Sequence, residues 1–183
     1  FSMKITPLHG SLLGGNQQKL SKNAIAEGII SNLRKTIIRE QLTDPRFYAQ
    51  MSELVVDLMR QSRDDAAACE EFLRQAEALA RQLASRGPDT GLPSILKGNR
   101  EAAVIYNNLV DLPGGKFTRS ENHEERAALA LEIDKTIREN APADWKGDDT
   151  REKQVLNAIF PLLQRDREAT AALFEIIKHQ AGY

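Results

Sequence analysis

A chain of 183 residues is expected to form one domain, or one with a small appendage, and its 41% hydrophobic and 28% charged residues supply enough apolar material for a core. A net charge of -1 excludes a global basic field drawing the chain to nucleic acid or an anionic membrane, and no apolar run approaches the roughly 20 residues that span a bilayer. The single cysteine, Cys69, excludes an internal disulfide and fits a reducing compartment. With no signal-peptide pattern, the expected location is cytoplasmic.

Phe1-Ser2 before Met3 reads as a cloning remnant, and residues 1–20, rich in Gly, Asn, Gln and Ser, as a flexible lead-in. A helix is expected from Asn23 to Glu40, with Ala26, Ile29, Ile30, Leu33, Ile37 and Ile38 on its apolar face. Asp44-Pro45 is a restart signal, a cap followed by proline at the first helical position. The helix it opens carries Phe47, Met51, Leu54, Val55 and Leu58, and residues 60–64 form a polar break. Apolar residues from Cys69 to Leu83 then recur at three and four, giving a helix over 66–85 that Gly87-Pro88 stops.

Residues 86–98 form a loop without a period of their own. Asn99 can cap a short helix through Ala102, Ile105, Tyr106 and Leu109, and a second long loop follows from 111. Asn122 and Glu125 have the spacing of a capping box for a helix reaching Asn140, which carries Leu129, Ile133 and Ile137. Trp145 precedes a closing helical hairpin. Its first helix holds Val155, Leu156, Ile159, Phe160 and Leu163, with Asp149 and Glu152 as a capping box. Its second holds Leu173, Phe174, Ile176 and Ile177, with Asp166 as cap. Phe160 and Phe174 lie on the apolar faces of these two helices, which a short polar turn makes antiparallel neighbours, and Pro161 should kink or end the first helix. Trp145 reads as a core anchor with its indole N–H satisfied. No segment alternates apolar and polar residues as a strand would. The fold class is all-α: an irregular bundle of about seven helices, with residues 21–183 as a single domain.

The motifs carry little chemistry. The pairs Gly14-Gly15 and Gly114-Gly115 lack the lysine and hydroxyl of a phosphate-binding loop. His9, His123 and His179 are scattered, and His123-Glu124-Glu125 lacks the second histidine of a zinc protease motif. Cys69 sits on an apolar stripe beside acidic residues, which favours a buried structural role over a nucleophile. No catalytic, cofactor-binding or metal-ligating residue is assigned. Charge is uneven, however. Cations outnumber carboxylates between Lys19 and Arg63, so Arg34, Lys35, Arg39 and Arg46 are candidate phosphate contacts, the alternative being a solvated helix surface. Leu92, Ile95, Leu96 and Phe117, in the two long loops, are candidate partner contacts, because exposed apolar clusters often mark docking surfaces. Folding back onto the core is the alternative for them.

Several stretches in order resemble the C-terminal region of the R (motor and endonuclease) subunit of type I restriction-modification enzymes. They are AIAEGIISNLRKTIIREQLTDPRFYAQMSELVVDLMRQSR, EEFLRQAEALARQL, AVIYNNL, ALEIDKTIRENAPADWKGDDTREKQVLNAIFPLL and ATAALFEIIKHQAGY. Tyr106 to Leu109 and Asp144-Trp145 are the more specific parts. The resemblance implies a non-catalytic helical domain of an ATP-dependent DNA translocase and site-specific deoxyribonuclease. ATP and Mg are implied only for the parent's motor and nuclease domains. The implied partners are the methyltransferase and specificity subunits and other domains of the R subunit, with DNA contact as the alternative role and no membrane.

Overall fold

The computed structural model describes residues 12–85, 92–114 and 122–183. Their order is α1 (Leu12–Glu40), α2 (Pro45–Met59), α3 (Ala66–Ser85), a 3-10 turn (Ser94–Leu96), α4 (Arg100–Leu109), α5 (His123–Asn140), α6 (Asp149–Ile159) and α7 (Arg167–Lys178). No strand occurs among the described residues, and the protein is an all-α, multi-helix bundle. No described helix is long and apolar enough to cross a membrane. The expected Gly87-Pro88 stop, Phe117 and residues 1–11 of the lead-in lie outside the described residues.

The described residues group into two compact units. The first comprises the described residues of 1–38 and 50–87, the second those of 39–49 and 88–183. In the first, α1 begins at Leu12 rather than Asn23. Once the strongly periodic segment downstream has formed, adding a residue at the N-terminal end gains a hydrogen bond without a new nucleus. The helix buries Ala26, Ile30, Leu33 and Ile37, spaced four, three and four, while α2 buries Met51, Val55 and Leu58 and α3 buries Cys69, Phe72, Ala76 and Leu83. Ile38 and Leu54, both expected on apolar faces, are 66% and 41% exposed. Each adjoins a buried residue, Ile37 or Val55, and neighbouring positions on a helix point about 100° apart. Asp65 caps α3 by accepting from the Ala68 N–H at 2.7 Å.

The second unit holds a continuous core. Ile105, Leu109, Ile133, Ile137, Ile159, Leu163, Leu173 and Ile177 are all buried in it, with Trp145 and Phe174 side by side at 5.7 Å between ring centroids. The caps are short polar side chains. Asn99 accepts from Ala102 N–H, Asn122 from Glu124 and Glu125 N–H, and Asp166 from Ala169 N–H. For α6 the cap is Asp148, one residue before the expected Asp149; its carboxylate accepts from the N–H groups of Thr150 and Arg151, both at 3.0 Å. Glu152 reaches back to the Gly147 N–H at 2.9 Å. The shift follows from Gly147, whose φ of 84° lets the chain turn sharply just before Asp148.

Pro161 ends α6, as its missing N–H and ring require. The helix stops at Ile159, and a turn follows in which the Arg165 N–H donates to the Phe160 carbonyl at 3.1 Å. Gln164 and Arg165 take left-handed φ of 56° and 58° to complete it. Leu163 is fully buried although it lies in this turn. The two phenylalanines are not equivalent: Phe174 is buried and Phe160 only half-buried.

Candidate functional site

In the first unit, α1 and the end of α2 leave apolar side chains outside. Ile38, Val56 and Met59 are 66%, 43% and 45% exposed. They line two adjoining clefts of about 420 and 360 Å³, which share Arg34, Ile38 and Met59. Glu27, Ile30, Arg34 and Ile38 follow at three- and four-residue spacing, so one face of α1 forms a wall of the groove. Among the described residues, four cations line the clefts, Arg34, Lys35, Arg60 and Arg63, against one carboxylate, Glu27. Arg63 is committed to Glu27 at 2.9 Å and lies over the Phe72 ring at 4.6 Å. Arg60 reaches Asp57 at 3.4 Å, both well exposed. Arg34 and Lys35 have neither an ion-pair nor a hydrogen-bond partner among the described residues.

The four candidate phosphate contacts therefore separate. Arg34 and Lys35 line the groove, but Arg39 is paired with Glu40 at 2.8 Å, and the Arg46 guanidinium donates to both carboxylate oxygens of Asp111, at 2.6 and 2.7 Å. Both of the latter belong to the second unit. The candidate partner contacts separate as well. Leu96 is 1% exposed and part of the core, because Ser94–Leu96 forms a 3-10 turn that aims it inward. Leu92 packs half-buried against the same core, and of the three described candidates Ile95 is the exposed one, at 51%. For Leu96 this replaces the docking role with internal packing.

The second unit's polar interior was not legible as a site. Asp44 is buried, and its carboxylate accepts from Asn108 Nδ2 at 2.7 Å, from the Phe47 N–H and from Asn107 Nδ2. Asn108 Oδ1 in turn accepts from the Arg46 N–H at 3.1 Å. Gln180 Nε2 donates to the Thr43 carbonyl at 2.5 Å, so residues 43–46 are held from both α4 and the end of α7. Burial pushes the Asp44 carboxyl above its usual range, and these hydrogen bonds and the Arg46 charge only partly offset it.

A second buried carboxylate, Asp134, accepts from the Tyr183 hydroxyl at 2.6 Å, Asn99 Nδ2 at 2.8 Å and Arg138 Nε at 3.1 Å. Burial alone raises its pKa, but the three donors and the Arg138 charge outweigh it and hold the carboxyl below its usual range. The Tyr183 hydroxyl is pushed upward by burial and by the Asp134 charge it faces. An open cavity of about 700 Å³ lies beside this cluster, lined by Arg138, Trp145, Lys146 and Tyr183. Lys146 donates to the Gln180 carbonyl, and burial lowers its pKa. Trp145 anchors the core as expected, but its Nε1 is buried without a hydrogen-bond partner among the described residues.

Other chemistry-bearing residues are occupied structurally. Cys69 is fully buried, its thiol 3.4 Å from the Arg63 carbonyl. His123 Nδ1 lies 2.7 Å from the Tyr106 hydroxyl and 3.1 Å from an Arg126 guanidinium nitrogen. Both contacts hold the His123 ring against α4 and the first turn of α5. Among the described residues no group of three or more His, Cys, Asp or Glu is placed to hold a metal ion. No protein-family model, curated protein or solved structure matches the chain.

Proposed function

We propose that this chain is a non-catalytic helical assembly domain, of the kind that joins the R subunit of a type I restriction enzyme to its methyltransferase and specificity subunits or to other domains of the R subunit. The observation that carries the reading is the groove of the first unit. It leaves Ile38, Val56 and Met59 in water beside two uncommitted cations, and an exposed apolar surface rimmed by polar groups is characteristic of protein contacts. The link to that enzyme class rests on the sequence resemblance, most specifically on Tyr106 to Leu109 and Asp144-Trp145. Working in such an assembly, the domain acts in the cytoplasm, and ATP and Mg serve the parent's motor and nuclease domains. The test is co-expression of the chain with the methyltransferase and specificity subunits of a type I system, followed by size-exclusion chromatography. Co-elution at fixed stoichiometry is expected, and complete separation at low salt would overturn the assignment.

DNA contact is the second reading, favoured by the unpaired state of Arg34 and Lys35. It predicts duplex affinity that falls with salt at a log–log slope near -0.9 per phosphate neutralised. Arg39 and Arg46 spend their charge on Glu40 and Asp111, which limits the slope such a face can reach.

A further inference from the structure

We infer that the groove on the first unit is the seat of an acidic amphipathic helix supplied by a partner protein. This deepens the assembly reading and rests on it for the groove's use in assembly. The stretch of α1 from Glu27 to Ile38 that lines the groove is about 16 Å long at the rise of an α-helix. That length matches three turns of a helix laid along it, the usual footprint of recognition in a helix-binding groove.

Chemistry narrows the occupant further. The floor is apolar and adaptable: Ile38, Val56 and Met59 stand in water above the buried Ile37, Val55 and Phe72. Methionine suits such a floor because its unbranched thioether repacks against varied side chains. Among the described residues the rim is cationic: Arg63 pairs with Glu27 and Arg60 with Asp57, which leaves the charges of Arg34 and Lys35 uncompensated. A helix with leucine-like residues on one stripe and Glu or Asp on its flanks satisfies floor and rim together. Phosphate backbones satisfy the rim but leave Ile38, Val56 and Met59 against charged oxygens. The aromatic side chain in the lining, Phe72, is 1% exposed and offers no face on which a base can stack.

The test uses the 183-residue chain and a fluorescein-labelled synthetic helix of about four turns, with Leu at three- and four-residue spacing and Glu on the flanks. Fluorescence anisotropy at low salt is expected to show saturable binding. A scrambled peptide of the same composition should bind at least about tenfold more weakly, as should the Ile38→Asp and Met59→Asp variants, which remove the apolar floor. Arg34→Glu with Lys35→Glu should weaken the acidic helix and gain affinity for a Leu/Lys helix of the same pattern. Such a swap reports charge matching and is not produced by unfolding. These side chains are exposed, so circular-dichroism melting should be unchanged. Equal binding of the scrambled peptide, or full binding by Ile38→Asp, would overturn the inference. So would a short DNA duplex that binds more tightly than the peptide and is lost with the charge reversal. Co-elution separates the two ideas. If Ile38→Asp and Met59→Asp variants still co-elute with the methyltransferase core, the groove is wrong and assembly stands. If the native chain binds the acidic helix but never co-elutes, the groove stands and the type I assignment falls.

Discussion

The two units use their apolar residues differently. Of the seven large apolar side chains left exposed among the described residues, five belong to the first unit (Ile25, Ile38, Leu54, Val56 and Met59) and two, Leu42 and Ile95, to the second. The second unit instead draws even loop residues inward, Leu96 and Leu163 among them, and satisfies its buried carboxylates with carboxamides, a tyrosine and an arginine. A unit that buries its apolar side chains and pairs its interior charge is finished as a fold. One that leaves a stripe of isoleucine, valine and methionine beside unpaired cations has surface left to use. Among the described residues, buried packing and paired interior charge concentrate in the α4–α7 region and exposed apolar side chains in the α1–α3 region.

Substitutions can break that division of labour. The largest effect is expected in the second unit at Leu96→Asp, which places an unpaired charge in the core and should cost several kcal/mol. Ile95→Asp, its exposed neighbour, should change urea stability by no more than about 0.5 kcal/mol. Comparable losses for both would mean that the 3-10 turn does not sort the two side chains as described.

Asp134→Asn should cost about 1.5–3 kcal/mol at neutral pH, through loss of hydrogen bonds to a charged acceptor. Its pH dependence has a definite sign. The native carboxyl titrates below the usual 3.8, so its contribution is complete above that value. It is lost as the pH falls through the depressed native pKa, where the carboxylate takes up a proton and the charge-assisted bonds it accepts from Tyr183, Asn99 and Arg138 weaken. The gap between native and variant urea midpoints should therefore close on acidification. A gap independent of pH would assign the effect to packing alone.

A smaller effect tests the helix start. Asp148→Ala should cost about 1 kcal/mol as a lost cap, with Asp149→Ala well below that. The reverse order would restore the cap to Asp149. The smallest effect belongs to the first unit: Ile38→Asp should leave thermal melting unchanged within about 0.5 kcal/mol, and a large drop would show that the stripe is core after all.

Much of this was legible in the sequence because local rules decide it. Asp44-Pro45, Asn99, Asn122 and Asp166 mark helix starts that the structure keeps, since a short side-chain oxygen can serve the free N–H groups of the first turn without help from distant residues. Pro161 ends α6 for an equally local reason, its lack of an N–H. The choice between Asp148 and Asp149 was not legible. Two adjacent aspartates offer the same chemistry, and the left-handed φ of Gly147 selects between them.

The candidate site was legible only in part. Clustering of positive charge pointed to Arg34 and Lys35, but it could not separate them from Arg39 and Arg46, whose carboxylate partners are either adjacent or sixty-five residues away. The Tyr106 to Leu109 motif stood out without a stated role. Its side chains prove to be staples: Tyr106 to His123, Asn107 and Asn108 to Asp44, Leu109 in the core. By itself, then, the sequence determined the all-α class, most helix bounds and most caps, because periodicity and capping act within one or two turns of chain. Only the tertiary structure decided which cations stay unpaired, which loop residues turn inward and which isoleucine of a pair remains in water. Those outcomes depend on groups far apart in the chain competing for the same burial and the same partners.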